Sequence, residues 1–387
     1  MDCGTPLLLM GLLSPVERGG RIEPPPPDGK ALLGESWPNE LRTENFAVLY
    51  GNGVSETLAE TTAVHLEESW QALVIEQDWP APLLSADFLV RVELDPSLGW
   101  TGYTVTASSE LGEYPIIQLN PSYADYPAFY ASLVAHEFAH TLHFALRADY
   151  SAGPEEPWYW EASAEWAAER VFPDLNVYSQ QVVYYADNPQ LRYSSMEGFH
   201  AYGMSVLNAS IEERLEVPML EVWLEGGRQS AASWDTILSD VSGLPATFVV
   251  ADFAGAYGNE QLVESDLYPS PVLTALDLNG SYELPWLGTH YWSATQEITV
   301  QAEGLVLIAG TDGPQDQVHL LVGDLLAVTG ADPSGAVYRL EQVDGDETPP
   351  CGGCGGSPLS GWWLLLSPAL IRWRRSSPRG RSDCSYR

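Results

Sequence analysis

The residues whose types and spacing could do chemistry are His136-Glu137-Phe138-Ala139-His140. On an α-helix, positions four apart point only about 40° away from each other, so both imidazoles can reach one metal ion. Glu137, one position on, is close enough to touch a water on that ion without ligating it. A catalytic zinc takes three protein ligands and keeps a position for water, so one ligand remains to be found nearby in space. Twenty residues separate His140 from Glu161, in the run Trp160-Glu161-Ala162-Ser163-Ala164-Glu165-Trp166. That distance suffices for a helix end, a loop and a helix start. Glu161 and Glu165 are four apart and share a face: Glu161 can complete a His-His-Glu set, and Glu165 can accept the remaining N–H of a ligand histidine. HExxH by itself occurs in ordinary helices; the second acidic helix makes the pair specific. His143 is expected to be a partly buried polar residue, not a ligand. Glu165 has the competing reading of an exposed helix charge, and Trp158, Trp160 and Trp166 read as core packing.

The elements that must position these groups follow from periodicity. Phe46–Tyr50, Phe88–Leu94 and Tyr114–Leu119 read as strands, with an amphipathic helix from Glu56 to Leu73. Pro127 opens a helix from about Ala128 to Leu146. A Gly-Pro-rich loop, Ser151 to Pro157, leads to a helix from Trp158 to Val171, stopped by Pro173. From Asn176 to Gly258 the spacing is helical, broken at Asn188-Pro189, Gly226-Gly227 and Gly243. Near residue 263 it changes to short alternating runs, which predicts a small β-sandwich with its own core, separable from catalysis.

The two motifs resemble those of the gluzincins, the thermolysin-like metallopeptidases, in which HExxH is followed by a helix bearing a glutamate ligand and, four positions later, an acidic brace. The resemblance implies His136, His140 and Glu161 as ligands of one Zn2+ per chain, Glu137 as catalytic base and Glu165 as the brace, where Asp is more usual. It covers about residues 40–260 and is specific only at 136–165. The aminopeptidase signature Gly-x-Met-Glu-Asn is absent, and His143 and Leu146 stand where a metzincin would have glycine and its third histidine. Hydrolysis of a peptide would also need a donor to the carbonyl oxygen besides the metal; Tyr202, in His200-Ala-Tyr-Gly203, is the candidate, ahead of His200. The strand Pro115–Leu119 could pair with an extended peptide.

Composition sets the surroundings. With 53 acidic and 17 basic side chains the formal charge is −36, which repels phosphate backbones and disfavours nucleic acid as a partner. Six of the basic residues, Arg372, Arg374, Arg375, Arg379, Arg381 and Arg387, close the chain. Cys3, Cys351, Cys354 and Cys384 are the only cysteines, so the body between residues 4 and 350 folds without a disulfide. Residues 7–13 resemble the apolar stretch of an export signal, although Asp2 stands where a basic residue is usual. At the other end, Cys351-Gly-Gly-Cys354, an apolar run from Leu359 to Ile371 and an arginine cluster resemble the MYXO-CTERM sorting tails of myxobacterial surface proteins. In that family the tail directs export and is cleaved near the cysteines. The apolar run is shorter than the ~20 residues of a comfortable span and contains Ser367-Pro368.

The expected organisation is α+β: signal and linker at 1–38, a gluzincin-like catalytic domain at 39–262 (small mixed sheet, HExxH helix, helical subdomain), a β-sandwich at 263–345 and a sorting tail at 346–387. The expected function is an exported or surface-attached zinc endopeptidase acting on peptide or protein substrates, with transient membrane contact through the tail. The alternative is a catalytically silent binding or structural protein on the same fold; the intact Glu137 argues against it.

Overall fold

The computed structural model describes residues 37–342, apart from residue 110 and the segments 147–156, 275–281, 295–297, 302–304, 310–316, 321–323, 332–336 and 339–340. The N-terminal apolar stretch, the loop expected around 151–157 up to residue 156, all four cysteines and the sorting tail therefore lie outside the described residues. The chain is of mixed α/β class, with a small mixed sheet and many helices.

The sheet has five strands: β1 (Asn39–Arg42), β2 (Phe46–Tyr50), β3 (Val90–Leu94), β4 (Gly102–Ser109) and β5 (Gly112–Leu119), in the order β1-β2-β3-β5-β4. β2, β3 and β5 are parallel; β1 and β4 run antiparallel at the two edges. All of Phe46–Tyr50 is buried, which is why β2 reads as an unbroken apolar run and not as an alternation. Helix α1 (Glu56–Trp70) connects β2 to β3, capped by Ser55 and continued by a π-helical turn, Gln71–Glu76. The Thr62 hydroxyl on α1 meets the Tyr130 hydroxyl at 2.9 Å, which ties α1 to the central helix.

The edge strands β1 and β4 were not expected, and β4 overturns one expectation outright. β5 is flanked by β3 and β4, so its ladder is filled and it cannot accept a peptide strand; β4 is the edge. The reason is that the Thr-rich run of β4 carries little apolar signal, and only its pairing with β5 reveals it.

Helix α2 (Pro127–Leu146) is buried without interruption from Tyr130 to Phe144, and α3 (Pro157–Val171) from Pro157 to Glu169. Helices buried on every side belong in the middle of a fold, and these two pack side by side there, their charged and imidazole side chains included. Around them lie α4 (Val183–Asp187), α5 (His200–Gly203), α6 (Ser205–Leu215), α7 (Met219–Arg228), α8 (Trp234–Ser242) and α9 (Ala246–Gly258). Asn188 ends α4, and Gly243, at φ +69°, caps α8 as its sequence implies. Gly226-Gly227 lies in the last turn of α7, which stops at Arg228, so the expected break falls there to within a residue or two. A Cβ at Gly227 would collide with the Leu146 carbonyl, so that glycine serves the close approach of α7 to the end of α2. Among the described residues no single helix is long and apolar enough to cross a membrane.

Eight short strands follow: β6 (Tyr282–Glu283), β7 (Thr289–Ser293), β8 (Ile298–Gln301), β9 (Leu305–Ala309), β10 (Gln317–Leu320), β11 (Leu325–Gly330), β12 (Val337–Tyr338) and β13 (Glu341–Gln342). They pair as β7-β11-β9, β10-β8-β13 and β12-β6. On the side facing the helices, the strands share the helices' core. Leu287, Tyr291 and Ala327 belong to the helices' own buried cluster, and the Tyr291 hydroxyl reaches Ala254 O at 2.9 Å and the Tyr185 hydroxyl at 2.7 Å.

Candidate metal centre

Helices α2 and α3 pack against each other, and both carry buried small residues: Ala135 and Ala139 on one, Ala162, Ala164 and Ala168 on the other. On α2 the rings of His136 and His140 stand edge to face with centroids 4.8 Å apart, and their Nε2 atoms are 3.1 Å apart. Glu161 completes the group, with Oε2 3.2 Å from His136 Nε2 and Oε1 3.5 Å from His140 Nε2. Donor atoms about 2.0–2.1 Å from one centre at tetrahedral angles stand about 3.3–3.4 Å apart, so the three separations bracket what a metal ion requires. Among the described residues this is the one set of three such side chains with ligand atoms within 4.8 Å of one another.

Electrostatics point the same way. Burial would push the His136 imidazole down, but hydrogen bonds and charge from Glu161 and Glu165 outweigh it and hold it up at about 10. A carboxylate pair this deep needs a cation beside it, and the metal-free fold provides one on His136. Burial, then repulsion from His136 and His143, pushes His140 well below its usual value, leaving the neutral ring a ligand must be. Burial also pushes the Glu161 carboxyl up, opposed by hydrogen bonds from His136 and Tyr202.

Glu165 occupies the place expected for a brace, with Oε1 3.2 Å from His136 Nδ1; it is fully buried, which removes the exposed-charge reading. Tyr202, on α5, is brought to the site: its ring stacks on His136 at 6.2 Å and 19°, and its hydroxyl bonds Glu161. Phe199, at φ +65° and 42% exposed, packs on Tyr202 from outside. His200 is not brought to the site. It lies against Tyr185 and the Asn188 backbone, and burial lowers it to about 4.

His143 departs from expectation in degree, being completely buried. Trp223 stacks on it at 3.9 Å and 5°, with Trp160 edge-on at 5.6 Å, and burial keeps the imidazole neutral. Trp160 also stacks against His140 at 6.3 Å and 26°, so the tryptophans wall the ligand helices. Trp158, Trp160 and Trp166 are all core residues, as expected.

Glu137 faces β4. The Thr104 hydroxyl lies 2.8 Å from Glu137 O and 2.9 Å from Glu137 Oε2, and Gly102, on the same face of the strand, lies against the Glu137 side chain. Neither residue was singled out from the sequence; the threonine-glycine alternation is a signal only once β4 is known to be a strand beside α2. His136, Glu137, His140, Glu161 and Glu165 have no solvent-exposed surface in this conformation.

The model of a family described as "Family of unknown function (DUF6055)" matches residues 90–231, a span that holds β3 to β5, both motif helices and Tyr202. No curated protein matches the chain.

Proposed function

We propose that this chain is a zinc-dependent hydrolase of peptide or amide bonds, built on a gluzincin-like catalytic unit with a small C-terminal β-sandwich. The observation that carries the proposal is the buried His136–His140–Glu161 group with Glu137 between the two histidines and Glu165 behind the first. A His-His-carboxylate set suits zinc, one ion per chain. When bound, the ion would polarise a water and the scissile carbonyl. Glu137 would serve as the general base, accepting a proton from the attacking water and delivering it to the leaving amine. Tyr202 holds Glu161 through its hydroxyl and is the proposed donor to the carbonyl oxygen, which its hydroxyl would reach by leaving Glu161. An extended substrate would pair along β4, the sheet edge next to Glu137, which favours an endopeptidase. Export and surface attachment through residues 346–387 belong to the same proposal.

The silent-protein reading has one observation on its side: no ligand or Glu137 atom reaches solvent, so a substrate must enter by displacing side chains such as Tyr202 and Phe199. The experiment that separates the two is Glu137→Gln in zinc-loaded protein against a peptide library. Wild type should cleave, and the variant should keep its zinc and fold while losing roughly 10²–10⁴ in kcat. A folded, zinc-loaded wild type that cleaves nothing would leave the silent reading standing.

A further inference from the structure

We infer that Thr104, helped by Gly102, is the positioning residue for the Glu137 carboxylate, so that the sheet edge and the general base form one mechanical unit. The inference rests on the reading of Glu137 as base and adds to it a residue from an element no motif contains.

Thr104 is fully buried, and its hydroxyl proton lies within reach of two oxygens of Glu137: the main-chain oxygen at 2.8 Å and Oε2 at 2.9 Å. A buried threonine needs only one acceptor, and the helix carbonyl would suffice. The second contact draws the carboxylate back along α2 and fixes an otherwise rotatable glutamate. Gly102 lies two positions earlier on β4 and so on the same face. A Cβ there would stand 3.1 Å from both Glu137 Cγ and Glu137 Oε1, and 3.2 Å from Gln118 O. Glu137 is thus held by a hydroxyl at one carboxylate oxygen and by close packing at the other. β4 pairs with β5 through Gly102↔Leu119 and Thr104↔Ile117, so this grip is anchored in the sheet core. A peptide pairing along the edge of β4 would take its register from the strand that sets the base, and orientation to within fractions of an ångström is what general-base catalysis demands.

The test uses the full chain loaded with zinc, and the variants Thr104→Val, Thr104→Ser and Gly102→Ala. The measurements are metal content, kcat and KM on a peptide that wild type cleaves, affinity for acetohydroxamate, and the crystallographic position of Glu137. Acetohydroxamate chelates the ion and gives its hydroxyl proton to a nearby base. The valine variant keeps the side-chain shape and removes the donor. It should retain one zinc per chain and its KM, lose roughly 10- to 100-fold in kcat, weaken acetohydroxamate by a similar factor, and show Glu137 swung away. Serine should restore kcat to within a few-fold. Gly102→Ala forces Glu137 to give by a few tenths of an ångström and should lower kcat without loss of metal, by a route that leaves the hydroxyl in place. A valine variant with Glu137 in its wild-type position and wild-type acetohydroxamate affinity overturns the inference. Should wild type cleave no peptide, the base reading fails, but the position of Glu137 in the valine and serine variants still decides the positioning role.

Discussion

Replacing Glu165 by Gln removes one charge from the centre without changing its volume, and the structure sets bounds on what that should do to metal affinity. Glu165 Oε1 stands 3.2 Å from His136 Nδ1 with both residues fully buried. At that separation two unit charges attract by about 5 kcal/mol at an effective dielectric constant of 20, an upper bound because the buried carboxylate repays part of it in lost hydration. The brace of a ligand histidine is typically worth about 10- to 100-fold in metal affinity, or roughly 1.4–2.7 kcal/mol. A second effect opposes the loss. Glu165 also stabilises the His136 imidazolium that the metal must displace, so its removal weakens the competing proton. The ion carries two charges against the proton's one, so the metal loses more. The expected result for Glu165→Gln at neutral pH is therefore near the lower end, about tenfold weaker binding. Glu165→Ala should be worse, because it leaves a buried cavity as well. The assay is competition with a chelator of known affinity, with circular dichroism to confirm the fold. His140→Ala, which removes a ligand, should abolish stoichiometric metal. A Gln variant that binds within threefold of wild type would show that Glu165 does not brace the site.

Metal affinity should climb by about tenfold per pH unit from 6 to 9, since each ion bound expels about one proton from His136, held at about 10; a pH-independent affinity would contradict this. By the same linkage the metal-free fold, stabilised by protonated His136, should be at full strength below about 6.5 and lose stability as pH rises towards about 10, read from urea midpoints. A chain ending at Gly258 should lose more than about 3–5 kcal/mol, the cost of deleting one large buried aromatic, because Tyr291 is buried against Ala254 and Tyr185; a melt matching the full chain would mean the strands contribute nothing to the helical core. Surface-extracted protein should end near Cys354 by mass spectrometry, and an intact Tyr386-Arg387 terminus would refute tail cleavage.

The parts of the site legible in the sequence are those set by a single helix. Spacing of four residues places two side chains on one face whatever the rest of the chain does, so His136 with His140, and Glu161 with Glu165, could be paired from the sequence. Joining the pairs across α2 and α3 needed only a loop of sufficient length between them. Tyr202 was harder, since its approach to Glu161 depends on how α5 docks, and its neighbour His200 turns the other way. Thr104 and Gly102 were out of reach for a different reason. Strand order is not local: β5 carries the apolar run that announces a strand, whereas β4, its polar edge partner, carries the contacts to Glu137. The same limit explains Gly227, where glycine marks a close helix approach as well as a helix end, and the strands after residue 281, whose alternation announced a sheet but not the helix surface that Tyr291 would meet. A motif search therefore finds the groups proposed to hold the ion and misses the strand inferred to aim the base. On the proposed reading water, base and substrate would all meet on one ion, so the strand would decide whether the motif is catalytic or merely present, and a chain with the same HExxH and glutamate helices but valine at the Thr104 position should bind metal normally and turn over slowly.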